Sequence, residues 1–225
     1  MPVAIKIVTK YEKVPADLVA LFKAIPTANV SDNMLRITAA GSRIRPFHAG
    51  GVLAGPAFTV KTRPGDNLLL HKALDMAAAG DVVIVDAGGD LTNSLFGELM
   101  MSHAKARNIA GVVLNGAIRD YASIRAQHFP VYAAGVTHRG PYKDGPGEIN
   151  VPIAIDGMVV EPGDLILGDE DGLVCVPKAI AAAVYTASKA KHEAEEKQLL
   201  AIQNGIWDRN WVNDRFKELG YVFSD

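Results

Sequence analysis

A chain of 225 residues that is 49% hydrophobic is long enough to bury one substantial core, and we read residues 1–225 as a single domain. With 23 Lys and Arg against 25 Asp and Glu, a net charge of -2 offers a nucleic acid or an anionic membrane no long-range attraction. No stretch of about 20 apolar residues exists to span a bilayer, Lys6 and Lys10 interrupt any signal-peptide core, and the lone Cys175 cannot form an internal disulfide. These features point to a cytoplasmic protein whose partners are small molecules or proteins.

Leu18, Leu21, Phe22 and Ile25 follow helical spacing after Pro15, and Pro26 ends that helix. A second short helix is expected around "TANVSDNML", with Thr27 and Ser31 as candidate caps. Phe58, Val60 and Thr62 then alternate with smaller or polar residues, as a strand would. From Asp66 to Leu114 strand and helix take turns. "NLLLHKALDMAAAG" is helical with Gly80 as its stop, "DVVIVDA" is a buried strand, "NSLFGELMMSHAKARN" is helical and "GVVLNG" is a second buried strand. Such alternation requires at least one parallel strand pair.

Beyond Pro130 the texture becomes short strands separated by Asp-Gly and Pro-Gly-Asp turns, a β-meander with no room for a helix. A long helix begins at Lys178 and reaches about Gln203. Its apolar stripe of Ile180, Val184 and Ala187 lapses through "KAKHEAEEKQ" and returns at Leu199, Leu200 and Ile202, which turns Glu193, Glu195 and Glu196 toward solvent or another subunit. Trp207, Trp211 and Phe216 in the following tail are packing material, either for a neighbour or for the same chain. Residues 178–225 thus form a helical extension suited to oligomer contacts.

Several chemistries are absent. There is no G-x-G-x-x-G or P-loop motif, and "HEAEEK" carries Glu196 where a zinc protease needs its second histidine. "GDEDG" starts one residue after Leu167, which cannot serve as the first ligand of a calcium loop, so a hairpin turn is expected there. Cys175 reads as a small core residue, and His71 and His103 as structural or surface positions on helices.

Two strand-to-helix junctions remain. In "VVIVDAGGDLTNSLFGELM", Gly88, Gly89 and Gly97 lead into a helix whose free N–H groups could hold a carboxylate. The alternative is an ordinary loop capped by Asp90 or Asn93. In "VVLNGAIRDYASIRA", Gly116 is expected to turn the chain at the ligand edge of the strand. Arg119 would then offer a planar cation to an enolate or carboxylate, and Asp120 a hard oxygen to Mg²⁺ or Mn²⁺. The alternative there is a helix cap at Asp120 and a surface ion pair at Arg119.

Taken in order, "TANVSDNM", "GPAFTVKT", "GDVVIVDAGGD", "GELM", "GVVLNGAIRD", "PVYAAGVT" and "VPIAIDGMVVEPGDLILGDEDGLVCVP" resemble one family. It contains the class II 4-hydroxy-4-methyl-2-oxoglutarate / 4-carboxy-4-hydroxy-2-oxoadipate aldolases and the regulator of ribonuclease E activity A. The resemblance implies an α/β fold of the swivelling β/β/α type, with mixed sheets, flanking helices and a long C-terminal helix, assembled as a homotrimer or homohexamer. It implies that the backbone of Gly97, Glu98, Leu99 and Met100 holds the pyruvyl part of a small oxo acid. Arg119 would contact the keto oxygen, Glu98 would serve with it in catalysis, and Asp120 would bind a divalent metal, Mg²⁺ or Mn²⁺. The implied reaction is retro-aldol cleavage to pyruvate, with oxaloacetate decarboxylation through the same enolate. Regulation of ribonuclease E by protein binding, or another metal-enolate reaction, is the alternative.

Two positions depart from the family pattern. Ser123 stands where an acid usually follows Arg-Asp, and Glu98 replaces an aspartate. In the aldolases a neighbouring chain's carboxylate completes the metal's water shell, and Glu195, then Glu193 and Glu196, are the candidates for it here.

Overall fold

The computed structural model describes residues 5–222. Two short helices open it, α1 (Ala16–Phe22) and α2 (Thr27–Asp32), followed by β1 (Arg45–Pro46) and the long strand β2 (Leu53–Thr62). The alternating region comprises α3 (Leu68–Met76), β3 (Val82–Asp86), β4 (Ser94–Phe96), α4 (Glu98–Ala106), β5 (Gly111–Ile118), α5 (Tyr121–Arg125) and β6 (Val131–Val136). Five short strands follow: β7 (Gly147–Ile149), β8 (Ile153–Ile155), β9 (Met158–Val160), β10 (Leu165–Asp169) and β11 (Gly172–Val176). The chain closes with a 3₁₀ turn at Lys178–Ile180, then α6 (Ala181–Gln203) and α7 (Asn210–Glu218).

The described residues contain a nine-stranded sheet in the order β1-β6-β5-β3-β2-β10-β11, with β4 added to β5 and β7 to β2. Pairs β2–β3, β3–β5, β4–β5 and β5–β6 are parallel, as the strand-helix alternation required. The other pairings in this sheet are antiparallel, which makes it mixed.

Side-chain alternation sorts the central strands onto two faces. Val83, Val85, Val112 and Leu114 meet α3, α4 and α5 through Leu70, Leu74, Met101, Ala104 and Ile124. Val82, Ile84 and Val113 point the other way, against the separate β8–β9 ribbon of Ile153, Ile155, Met158 and Val160. Burial on both faces explains why these strands read as unbroken apolar runs. A third apolar cluster joins α1, α2 and the start of α6 to β10 and β11, through Phe22, Val30 and Val184 on Leu167 and Val174.

Four expectations change. Thr27 and Ser31 cap nothing: Pro26 precedes α2, and the Thr27 hydroxyl and N–H both bond the Asp169 carboxylate, at 2.7 and 2.9 Å. Residues 94–96 are a strand, so the helix expected from Asn93 begins only at Glu98. Gly116 is not a turn, because β5 runs through it to Ile118, with an irregularity in the β5–β6 register between Leu114 and Ala117. A Cβ at Gly116 would meet Leu95 Cδ1 at 2.8 Å, so its missing side chain serves the packing of β4 over β5. The C-terminal strands also form no single meander, since β8–β9 stands apart while β10 pairs with β2.

Other readings hold. Asp169 pairs with Gly172 around a two-residue hairpin loop, and Cys175 is buried, with burial and the nearby Asp164 carboxylate pushing its thiol well above the ordinary range. The stripe expected on the long helix is shifted: of Ile180, Val184 and Ala187 only Val184 is buried, together with Ala181 and Ser188, while Ile180 is 47% exposed, Ala187 is exposed, and Leu199 and Leu200 are 58% and 59% exposed. No residue of α7 is buried and Trp211 is 60% exposed, whereas Trp207 before it is partly buried. Residues 223–225 of the tail lie outside the described residues. No described helix is long and apolar enough to cross a membrane.

Candidate active site

Strand β5 is longer than its neighbour β3, and that mismatch builds the site. Pairing of β3 with β5 stops at Asp86 opposite Asn115. The chain then loops out through Gly88 and Gly89, at φ of 68° and 73°, and returns as β4 to pair with the remainder of β5, Ser94 opposite Ala117 and Phe96 opposite Ile118. Two strand ends therefore finish side by side. Arg119 N–H donates to the Phe96 carbonyl at 2.9 Å, which pins the second junction against the first.

Asp120 completes that link. Its backbone is left-handed, φ 54° and ψ 38°, and its Oδ2 accepts the Glu98 N–H at 2.9 Å. The backbone conformation costs about 1 kcal/mol for a residue other than glycine. A hydrogen bond from an N–H to a charged group is worth about 1.5–3 kcal/mol, and the positive end of the α4 dipole adds to it. The balance favours the bent form. Asp120 is thus a cap, but for α4 and not for its own helix α5, in which its side chain makes no capping bond. Asp90 and Asn93 do not cap α4 either: Asp90 bonds Thr92, and Asn93 donates to the Gly140 carbonyl.

Gly97 lies between the two arms. A Cβ there would collide with the Asp120 carboxylate and approach Arg119 Cγ to 3.0 Å, so only glycine permits this convergence. The next N–H groups, those of Leu99 and Met100, have no acceptor among the described hydrogen bonds. They sit in the first turn of α4, where backbone donors and the dipole favour an anion.

These groups line one cavity of about 340 Å³, whose wall includes Asn67, His71, Gly97, Leu99, Met100, Arg119, Asp120, Gly140 and Lys143. That size lies at the small end for ligand pockets. Arg119 and Asp120 also border a smaller hollow with Val136, Thr137 and His138. Two of the segments that line the cavity are tied together by Asp66, which is fully buried: its carboxylate accepts N–H groups from Leu68, Asp144 and Gly145 and the Arg63 guanidinium. Burial alone would raise its pKa; those backbone donors and Arg63 outweigh it and hold the carboxyl below its ordinary value. Asp66 so ties the start of α3 to the loop that carries Lys143. The next residue, Asn67, donates to the Leu95 carbonyl at 2.9 Å and is left with a buried, unpartnered Oδ1 in the cavity wall.

The remaining expected residues lie elsewhere. The Glu98 backbone belongs to the site through Asp120, but its side chain is exposed and is not part of the cavity wall. Ser123 sits on α5, outside both hollows. Helix α6 packs on α1 and α2, and within this chain none of its residues borders the cavity. Glu195 accepts Asn29 Nδ2 at 2.6 Å and pairs with Lys191, while Glu193 pairs with Lys189 and Glu196 with His192. Sequence reasoning missed Asn67, His71 and Lys143 as cavity residues. Nothing in their spacing marks them, because the Asp66 clamp that gathers two of their segments is a tertiary contact.

The described residues hold no group of three or more His, Cys, Asp or Glu able to bind a metal. What the site offers a cation is one carboxylate, with Oδ2 on Glu98 N–H and Oδ1 without a protein partner. That donor set fits magnesium or manganese, which commonly use one or two protein carboxylates and complete their shells with water and substrate oxygens, and it does not fit a closed zinc site.

Comparison with known proteins agrees with this architecture. A family model described as RraA-like, Aldolase/RraA, matches residues 27–175, and the chain belongs to that family. Among its relatives, a Halalkalibacterium halodurans protein named "Putative 4-hydroxy-4-methyl-2-oxoglutarate aldolase" is 39% identical over 190 residues, 84% of this chain and 90% of that protein. The solved structure of an uncharacterized protein from Pseudomonas syringae superposes with a TM-score of 0.78 at 27% identity, covering 87% of this chain and 96% of the other. The RNA-processing inhibitor RraA from Thermus thermophilus superposes with a TM-score of 0.63 at 34% identity, covering 68% and 92%. The fold is therefore the RraA-like one, a mixed α/β structure with flanking helices and a long C-terminal helix.

Proposed function

We propose that this protein is a divalent-metal-dependent lyase. It cleaves 4-hydroxy-2-oxo acids of the 4-hydroxy-4-methyl-2-oxoglutarate type to pyruvate and a second oxo acid, and it decarboxylates oxaloacetate through the same pyruvate enolate. The observation that carries this reading is the convergence of Arg119, the open oxygen of Asp120 and two free helix N–H groups on one small cavity. The names of the aldolase relatives support it.

In this reading the substrate carboxylate accepts the Leu99 and Met100 N–H groups. The Arg119 guanidinium donates to the 2-keto oxygen and stabilises the negative charge that gathers there as the C3–C4 bond breaks. Asp120 holds Mg²⁺ or Mn²⁺, which supplies Lewis-acid polarisation of the same oxo acid. Lys143 adds a second cation to the cavity, matched to a substrate with a second carboxylate. A homo-oligomer, trimer or hexamer, would cover the exposed apolar residues of α6 and α7 and could bring Glu193, Glu195 or Glu196 toward a neighbour's cavity.

The second reading, a protein-binding regulator of RNA processing, draws on the likeness to the Thermus inhibitor. A docking surface makes no demand for a glycine at position 97 or an open carboxylate oxygen at position 120. A coupled assay for pyruvate release from oxaloacetate and from 4-hydroxy-4-methyl-2-oxoglutarate separates the two. We expect turnover that stops on chelation, returns with Mg²⁺ or Mn²⁺ and falls by about 10³-fold in Arg119→Ala, on the scale of losing a transition-state donor. Absence of metal-dependent turnover on either compound overturns the lyase reading.

A further inference from the structure

Retro-aldol cleavage must move a proton from the C4 hydroxyl and later supply one to C3, and the groups placed so far do neither. Arg119 is a permanent cation with no acceptor, and an ammonium such as Lys143 is likewise donor-only. Asp120 is committed to the Glu98 N–H through Oδ2 and to the metal role through Oδ1. The Ser94 hydroxyl donates to the Arg139 carbonyl at 2.8 Å. Ser123, on α5, borders neither hollow and brings no carboxylate. Among the cavity residues this leaves one side chain that can both accept and return a proton near neutral pH, the imidazole of His71.

From the first turn of α3, where His71 lines the same cavity as Arg119 and the Gly97 turn, we infer that its imidazole is the general base and general acid of this lyase. The inference rests on the lyase reading above and adds the proton-transfer residue to it. In the cleavage step the neutral imidazole takes the C4 hydroxyl proton as the C4–O bond becomes a carbonyl. The C3–C4 bond breaks, and its electron pair passes to the C2–C3 unit as the pyruvate enolate. The imidazolium then gives that proton to C3, forming the methyl group of pyruvate and restoring the neutral ring. Atoms and charge balance without a further reactant.

The surroundings of His71 keep it in the form this chemistry needs. Burial, then the Lys143 cation, lower its pKa; Asp75 on the same helix pulls the other way, and His103 of α4 lowers it further. The Asp75 carboxylate is bonded to His103, at 3.1 Å. The N-terminal end of α3 also disfavours a cation. A lowered pKa favours the neutral ring, the form that accepts a proton, and protonation as pH falls shuts off the base.

The test is His71→Gln in the full-length, metal-loaded protein, with His138→Gln as the contrast, because His138 borders the other hollow beside Arg119 and Asp120. For His71→Gln we expect kcat for C–C cleavage to fall by about 10²-fold or more, the usual scale of general acid–base catalysis, while KM stays within about threefold. The acid limb of the kcat/KM profile should vanish, exchange of pyruvate methyl protons in D₂O should slow in parallel, and free imidazole should restore part of the rate in His71→Ala. An active wild type with an unaltered His71→Gln profile, no imidazole rescue, or the whole loss appearing in His138→Gln instead, overturns the inference and leaves the lyase reading standing. A wild type without metal-dependent turnover overturns both.

Discussion

The Gly97–Asp120 junction and the C-terminal half of α6 were both singled out by the sequence, and the structure treats them in opposite ways. At the junction the strand ends and the Gly97 turn are tied within the chain, and the Leu99 and Met100 N–H groups are left open toward the cavity. Arg119 N–H is on Phe96, Glu98 N–H is on Asp120, and Gly97 is wedged where no Cβ fits. In α6 the half beyond Ser188 contributes no buried residue, and Leu199, Leu200 and Ile202 stay exposed. A site assembled by one chain holds its geometry before any ligand arrives, and preorganised donors add most to catalysis in that state. An exposed apolar helix end has no geometry of its own to hold. Such a surface is what the proposed oligomer would cover.

The most direct way to break this contrast is at Gly97. In Gly97→Ala the new methyl group collides with the Asp120 carboxylate, so the left-handed residue must release the Glu98 N–H or swing aside. Both movements displace the Asp120 oxygen that we propose holds the metal. A misplacement of about 1 Å near reacting atoms costs about 10²-fold in rate, and we expect that loss in kcat/KM for pyruvate release, together with weaker activation by Mg²⁺ or Mn²⁺ in a titration. Activity within about threefold of wild type would show that the Gly97 wedge is not what sets the position of Asp120.

How much of this was legible beforehand follows the range of the contacts. The parallel strands announced themselves as apolar runs because both their faces are buried, and "GDEDG" announced a hairpin because its turn chemistry is local. Arg119 and Asp120 were legible as a pair adjacent in sequence. Their relation to "GELM" was legible only through family resemblance, since the register of β4 on β5 that joins them spans more than twenty residues. Gly116 misled in an instructive manner. A glycine after an apolar run suggests a turn, but here it makes room for Leu95 inside a strand. Asn67, His71 and Lys143 carried no signal of their own, because their convergence depends on a buried carboxylate one position before Asn67.

That carboxylate gives the next, smaller effect. Asp66→Asn replaces an acceptor of four donors by an amide whose NH₂ must face one or more N–H groups. Breaking a buried charge from its partners costs about 3 kcal/mol, which urea denaturation at neutral pH should register. The pH dependence has a defined sign. The native pKa lies below the ordinary value, so the charge contributes its full stability above the ordinary carboxylate range and loses it as pH falls through the lowered native value. Asp66→Asn should therefore flatten the acid side of the stability curve as well as lower its plateau. A variant whose curve runs parallel to that of wild type would remove Asp66 as the titrating clamp.

The smallest expected effect sharpens the other side of the comparison. Glu195 has both carboxylate oxygens engaged within its own chain, Oε2 with Asn29 Nδ2 and Oε1 with Lys191 Nζ at 3.1 Å. The Asn29 bond, then Lys191, hold its carboxyl below the ordinary value, so what it adds to stability is present above the ordinary range and is lost in acid. Its position is mostly solvated, where such pairs contribute little. Glu195→Gln should then leave turnover within about twofold and shift the midpoint of thermal unfolding only slightly, because Gln still accepts from Asn29. Glu193 and Glu196 keep only i,i+4 partners on the helix surface and are freer to reach another protomer. Should Glu195→Gln instead lose tenfold or more in kcat without a change in unfolding, the carboxylate serves a neighbour's cavity. Helix α6 would then belong to the active site of a proposed homo-oligomer.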